Sequence, residues 1–526
     1  MSMFSPTTLP SPGRFLKARF LLPIIVFLVV VRFSLPGGGG KEKLSQWGFL
    51  PYSNQTWSDA DQTTVPDDKL KGGFDHDREK EHETTPVNGD ETKPVEWDEK
   101  GSTGGHKITE PPEKDPAIQK AIQEQEHFDK VCGGLKSGKR IVITLNTGAT
   151  EILERVPTLL KTSLLCAPNV HIFSDLAHTL GDRQVYDSLD TVPAEVMNGN
   201  TDFDLYRKQL ELKDPVKVAE FLKGMKDPKN PGTAAAWTLD KYKKLHILEK
   251  AWAMQPDMDW YFHIDADTYV IWSSLVEWLA KLDPTKELYL GSLSFINNLP
   301  FGHGGSGMLM SGAAMRNFVV QHNGTAGRWD YKMQNECCAD WVLAQILKEY
   351  GMGLMNSWPT IQGEPQSTIP FDGSHWCQPF VTMHHVSPLE AQQMGDFEAR
   401  REDKTKPLTY EETFNGLVSD LIPTQLDDWD NQALGHTENG IHSYESCVEK
   451  CRNDQKCLQI QWKGDEEDEK KCTIGTEHVM LGQKHSGGGE DRRYKSFWEK
   501  ERIGEWAKRQ ECKGPIKFPF EDGKNP

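Results

Sequence analysis

A short apolar run, Trp260 to Ile264, ends on two carboxylates, Asp265 and Asp267, within WYFHIDADTY. Aromatic and apolar residues at that density predict a buried strand. Strand alternation predicts that Asp265 and Asp267 project to one side, with Ala266 on the other. Carboxylates that share a face repel unless a cation relieves them, and oxygen ligands suit hard divalent ions. A bare D-x-D is also what a solvated loop after a strand looks like. The residues that follow it in the chain sharpen the reading: Gly304, Gly305 and Gly307, then Asp340, then His384 and His385. Glycines let backbone approach a bound molecule closely, a carboxylate can act as a general base, and imidazole ligates metals.

These side chains need a scaffold that brings them to one edge. Arg140 to Leu145, RIVITL, is a β-branched strand closed by Asn146-Thr147-Gly148, and Ile152 to Leu165 has helical character. Val170 to Asp175, VHIFSD, is a second strand with an acidic end. Strand, helix and strand at this spacing make a βαβ unit with a parallel pair, and open α/β sheets bind ligands at the carboxyl ends of their strands. From Thr238 the pattern turns helical, with Tyr242, Leu245, Leu248 and Trp252 on one stripe and Lys241 near its start. After the D-x-D, Ser274 and Glu277 predict a capping box, with Leu275, Leu279 and Leu282 as the buried stripe. The run GHGGSGMLMS from Gly302 lacks the Lys and Ser or Thr of a P-loop. Asp340 opens a helix carrying Val342, Leu343, Ile346 and Leu347, where the helix dipole favours an ionised carboxylate. Phe380 to Val386 reads as a last strand, in which alternation sends His385 to the face opposite His384.

Four segments, FHIDADTYVI, GGSGMLMS, CCADWVLAQIL and FVTMHHVSP, occur in this order between Lys139 and Pro388. Together they resemble the fringe-like and core 1 β1,3-galactosyltransferase branch of the inverting β1,3-glycosyltransferases, in a fungal-type version with an added C-terminal module. The resemblance implies an α/β fold of GT-A type, a mixed and mostly parallel sheet flanked by helices. It implies a UDP-sugar donor and Mn²⁺ held by Asp265, Asp267 and His384. It places Thr144, Asn146 and Asp175 on the uridine, Lys241, Asp265, Gly304 and Gly305 on the donor, and makes Asp340 the catalytic base. The position before Asp340 is usually acidic in relatives and is Ala339 here. The expected reaction moves galactose from UDP-galactose to a hydroxyl of a glycan or glycoprotein in β1,3 linkage. UDP-N-acetylglucosamine or UDP-glucose is the alternative donor. Two rival readings are an inactive carbohydrate-binding scaffold of the same fold and a two-carboxylate hydrolase. Retention of both D-x-D carboxylates, Asp340 and His384 argues against the first. Two Asp at alternate positions suit a metal better than a glycosidic acid and base pair, which disfavours the second.

The whole chain is 526 residues with a formal charge of −18 and a mean hydropathy of −0.61, so two or three folded units are expected and nucleic acid is not a natural partner. Residues 1–14 read as a cytosolic tail and 15–35 as a transmembrane signal anchor, with Arg14, Lys17 and Arg19 before the apolar core; a cleaved signal peptide is the competing reading. Residues 36–127 read as a disordered stem, 128–390 as the catalytic domain, 391–430 as a linker and 431–512 as a disulfide-stapled α+β module. This organisation predicts a type II protein of the Golgi membrane with a lumenal body, and acceptor sequons at Asn54 and Asn323. Cys447, Cys451, Cys457 and Cys472 crowd together without the paired knuckles of a zinc site, leaving three pairings open. The module resembles an apple or PAN domain, which implies Cys447 with Cys472 and Cys451 with Cys457, a protein or carbohydrate partner, and dispensability for chemistry.

Overall fold

The computed structural model describes residues 116–224, 231–438, 440–464, 470–485 and 493–521. The expected tail and anchor, nearly all of the stem and Asn54 lie outside the described residues. Among the described residues no helix is long and apolar enough to cross a membrane.

The site is carried by an eight-stranded sheet. Its strands are β1 (Ile141–Asn146), β2 (Val170–Ser174), β3 (His178–Leu180), β4 (Arg183–Asp187), β5 (Trp260–Asp265), β6 (Tyr289–Gly291), β7 (Met308–Ser311) and β8 (Leu354–Asn356), in the order β8-β6-β7-β5-β1-β2-β4-β3. The pairs β1/β2, β1/β5, β2/β4 and β6/β8 are parallel; β7 runs antiparallel to both its neighbours, as does β3 to β4. The expected βαβ unit is therefore present, with the helix Ile152–Lys161 as its crossover. Every residue of β1 is buried, as befits a central strand covered on both faces. Alternation divides its side chains between two cores: Ile141, Ile143 and Leu145 pack on one face with Trp260, Phe262 and Ile264, and Val142 on the other with Tyr261. Because β5 and β1 are parallel and in register from Ile141 with Trp260 to Asn146 with Asp265, their polar ends emerge side by side.

Several local expectations are corrected. Order begins earlier than residue 128: a helix runs Pro116–Cys132 and is tied to the body by the Cys132–Cys166 disulfide. The helix expected from Thr238 is two helices, Pro231–Asp240 and Lys243–Met254, although its stripe of Tyr242, Leu245, Leu248 and Trp252 is buried as anticipated. Ser274 is not a cap, because the helix starts at Trp272 with Ile271 before it; the buried Ser274 hydroxyl instead accepts from the Leu408 amide at 2.9 Å.

The C-terminal region holds a five-stranded antiparallel sheet and the helix Tyr444–Asn453. It carries the disulfides Cys447–Cys472 and Cys451–Cys457 around a small core of Ile441, Ile460, Trp462, Ile474 and Phe497. It is not a separable appendage. Val479, Trp498, Ile503 and Trp506 join the larger core beneath the main sheet, Cys377 is bonded to Cys512, and Trp506 packs edge-on against Trp376 with ring centroids 5.1 Å apart. Cys337 and Cys338 are bonded to each other, so all ten cysteines are paired.

Candidate active site

The carboxyl edge of the sheet collects the ends of β1, β2 and β5 and the glycine loop that precedes β7. At the ends of β1 and β5, Thr144 Oγ lies 3.0 Å from His263 Nδ1, and the Asn146 amide donates to Asp265 Oδ1 and to Asp240 Oδ1, both at 3.0 Å. Asp175, fully buried just past β2, accepts from the Ala149 amide at 2.7 Å and lies 3.3 Å from the Lys243 ammonium. Lys243 also approaches Asp240 at 3.4 Å and donates to the Thr147 carbonyl at 3.0 Å. Asn146 and Asp175 are thus linked at one edge through Asp240 and Lys243, while Thr144 lies two residues back in β1, buried against His263. Lys243, which the sequence reading did not single out, ties two of their strands together.

β5 stops at Asp265, and a turn closed by the Thr268 amide on the Asp265 carbonyl at 3.0 Å carries the chain through Asp267, so strand alternation does not fix where Asp267 points. The two carboxylates stay close enough for Asp267 to add to burial in raising Asp265. Burial pushes the Asp265 carboxyl up to about 6 against the pull of Lys244. Asp267 instead meets His384 Nε2 at 3.3 Å, His385 Nδ1 at 3.6 Å and Arg155 at 3.8 Å. Burial works against an ionised Asp267, and the adjacent His384 overcomes it, holding the carboxyl well below the usual carboxylate range.

Asp267, His384 and His385 form a group whose ligand atoms all lie within 4.8 Å of one another, a donor set that could hold a metal ion. Asp265, expected as a ligand, is outside this group, and His385, expected on the opposite face, is inside it. The reason is backbone conformation. Pairing with Tyr269–Val270 extends only over Thr382–Met383, and His385 adopts φ of 59°, a left-handed turn that reverses the alternation. A mixed oxygen and imidazole set of this kind fits a first-row divalent ion such as Mn²⁺.

The glycine loop separates this group from Asp340. A β-carbon on Gly305 would overlap the His384 imidazole, and one on Gly304 would overlap the Lys244 ammonium and the Asp340 carboxylate. Gly307, at φ of 101°, makes the turn into β7 and leaves no room for a side chain against the Phe262 ring. The Thr268 hydroxyl donates to the Gly305 carbonyl at 2.6 Å, fastening the D-x-D turn to the same loop. Asp340 stands in the first turn of the helix Ala339–Glu349, as expected, and accepts from the Gly304 amide at 2.7 Å and from Lys244 at 2.5 Å. Burial would raise its carboxyl, but Lys244 overrides this and holds it at about 2. Lys241, expected on the donor, is committed elsewhere, 3.0 Å from Asp202 and donating to the Gln334 carbonyl at 3.1 Å. Adjacent lysines just ahead of the buried stripe of Leu245, Leu248 and Trp252 were the one sequence signal that pointed to Lys243 and Lys244.

Against this geometry, residues 137–357 match the family described as Fringe-like. That stretch, which contains the sheet, the D-x-D, the glycine loop and Asp340, is a Fringe-like glycosyltransferase domain. His384 and His385 lie beyond its matched end.

Proposed function

We propose that the protein is an inverting glycosyltransferase that moves a hexose, galactose in the first instance, from a UDP-sugar to a hydroxyl of a glycan or glycoprotein in β1,3 linkage. The observation that carries this reading is the glycine loop. Its consecutive residues Gly304 and Gly305 touch Asp340 on one side and the Asp267, His384, His385 group on the other. A carboxylate base and a candidate metal group are thereby separated by the width of one backbone segment, as a displacement at a sugar carbon requires.

Mn²⁺ held by Asp267, His384 and His385 would offset the charge that grows on the departing diphosphate. Asn146, Asp175 and the buried Lys243 shape the pocket assigned to the nucleoside. Asp340 accepts the proton of the acceptor hydroxyl as its oxygen bonds to the anomeric carbon and the bond to UDP breaks. A single displacement of this kind inverts the anomeric centre and needs no enzyme nucleophile. The pairing of all ten cysteines and the exposed Asn323 sequon support a lumenal body, in the Golgi, behind the expected anchor. The two cystines of the C-terminal sheet match those implied by the PAN-like reading, and we assign that sheet a carbohydrate or protein contact.

The test is a screen of UDP-sugars and acceptors with the lumenal fragment and Mn²⁺, with linkage and anomeric configuration read by NMR. Asp340→Asn is expected to keep donor binding and lose at least about a hundredfold in rate. An α-linked product would exclude inversion, and full activity in Asp340→Asn would exclude the base.

A further inference from the structure

Asp340 has a companion that neither the D-x-D nor the glycine motif announces. Lys244 is 3% exposed, and its ammonium lies 2.5 Å from Asp340 Oδ1 while the Gly304 amide donates to Oδ2 at 2.7 Å. A buried ammonium is costly unless it is paired and hydrogen-bonded, so its presence beside the base asks for a reason. The pocket around the pair is built for it. Three separate elements converge there: the start of the helix Lys243–Met254, the loop before β7, and the first turn of the helix Ala339–Glu349. The absence of a side chain at Gly304 is what leaves room for Lys244 Nζ.

We propose that Lys244 is a positioning residue of the transfer step, holding the Asp340 carboxylate ionised and fixed in direction while the acceptor hydroxyl gives its proton to it. With one oxygen gripped by Lys244 and the other by the Gly304 amide, the carboxylate cannot swing about its last bond. A free lone pair on an oxygen then keeps a constant bearing toward the acceptor. As the new glycosidic bond forms and the bond to UDP breaks, the proton moves to Asp340, which later returns it to water. Pairing lowers the basicity of the carboxylate, but it also keeps that carboxylate ready in acidic surroundings where an unpaired buried Asp would be protonated. The other groups facing the pair are His263, Tyr289 and His303 around Asp340, and Asp265 and Asp240 toward Lys244.

This inference rests on the proposed transfer reaction and is tested alongside it. kcat is measured against pH at saturating Mn²⁺ and UDP-sugar for the wild type, Lys244→Met, Lys244→Arg and Gly304→Ala. Lys244→Met and, independently, Gly304→Ala are expected to move the acid limb of kcat upward by about one to three pH units relative to wild type. The KM of Lys244→Met for the UDP-sugar stays within about threefold, and Lys244→Arg recovers most of the limb. A loss that is uniform across pH, with the limb unmoved, overturns the proposal in favour of a structural role. A large rise in donor KM with an unmoved limb overturns it in favour of a phosphate contact. A thermal-stability cycle of Lys244→Met with Asp340→Asn reads the pair without activity, and additive effects there overturn it. A wild type that transfers from no UDP-sugar overturns the functional reading and the role of Lys244 with it, and the two failures are told apart by the coupling that persists in the cycle.

Discussion

Residues 137–357 place their share of the site by short-range means. Asn146, Asp175, Asp240, Asp265, Lys243, Lys244 and Asp340 are fixed by hydrogen bonds and ion pairs among themselves, at the ends of helices and of strands whose register is set by a two-faced core. The segment after residue 357 works otherwise. It brings His384 and His385 to Asp267 on a strand only two residues long, Thr382–Met383. Its firmness comes from far along the chain, through Cys377–Cys512, Trp376 against Trp506 and Phe414, and a helix whose Arg502 donates to the carbonyls of Cys451, Arg452, Asp454 and Cys457. The contrast teaches that Asp340, the proposed base, is held by elements of the matched stretch alone, while the segment bearing two of the three candidate metal ligands is pinned both to that stretch, through Val386 donating to the Asp267 carbonyl at 2.9 Å, and to the C-terminal region that the sequence presented as an accessory.

The most severe way to break this comparison is to remove that region. A chain ending near residue 423 exposes the side of the main core that Trp498, Ile503, Trp506 and Phe518 cover. At roughly 2 kcal/mol or more for each large side chain, the loss rivals the whole stability of a domain, about 5 to 15 kcal/mol. No folded protein is expected by circular dichroism, and a well-folded, Mn²⁺-binding truncate would show the region to be dispensable after all.

Next in size is Asp267→Ala, which the comparison requires to abolish Mn²⁺-dependent UDP binding while the fold persists. His384→Ala weakens the same binding, and Asp265→Ala weakens it least, since Asp265 stands outside the cluster. Calorimetric titration that ranks Asp265 above His384 would reverse the assignment. Below these comes Cys377→Ser with Cys512→Ser. Opening a loop of that length costs about 5 kcal/mol in the chain-entropy picture, and Mn²⁺ affinity should fall with it because the strand bearing His384 loses its anchor. The smallest effect is expected from Cys451→Ser with Cys457→Ser, whose short loop is worth about 2 kcal/mol, read as a lower melting temperature with Mn²⁺-UDP affinity unchanged. Equal losses of metal affinity in the two pairs would erase the distinction between anchor and staple.

The sequence made much of the sheet legible, because β-branched runs such as IVITL and VHIFS can be little else than buried strands. Asp340 was equally plain, since a carboxylate at the head of an apolar helix has few other places to be. What escaped was phase. Alternation was carried through Asp267 and through His385, where the chain had already turned: a tight turn follows Asp265, and a left-handed residue sits at His385 itself. The single helix expected from Thr238 is two, and the lysines that reach Asp175 and Asp340 are Lys243 and Lys244 at the start of the second, not Lys241 in the break between them, where the resemblance had pointed. Periodicity reports the interior of an element faithfully and its ends poorly, and sites are assembled from ends.

Lys243 and Lys244 are consecutive, and one reaches Asp175 while the other reaches Asp340. About a hundred degrees of helix rotation separates neighbouring side chains, so a single rigid turn acts as a yoke between the pocket assigned to the nucleoside and the carboxylate assigned to the acceptor. A tilt or slide of that helix cannot relax one ion pair without straining the other. Inserting one alanine between Lys244 and Leu245 would turn the yoke by one step against the buried stripe of Leu245 and Leu248 and leave both carboxylates without their cations, whereas the same insertion after Met254 would spare them.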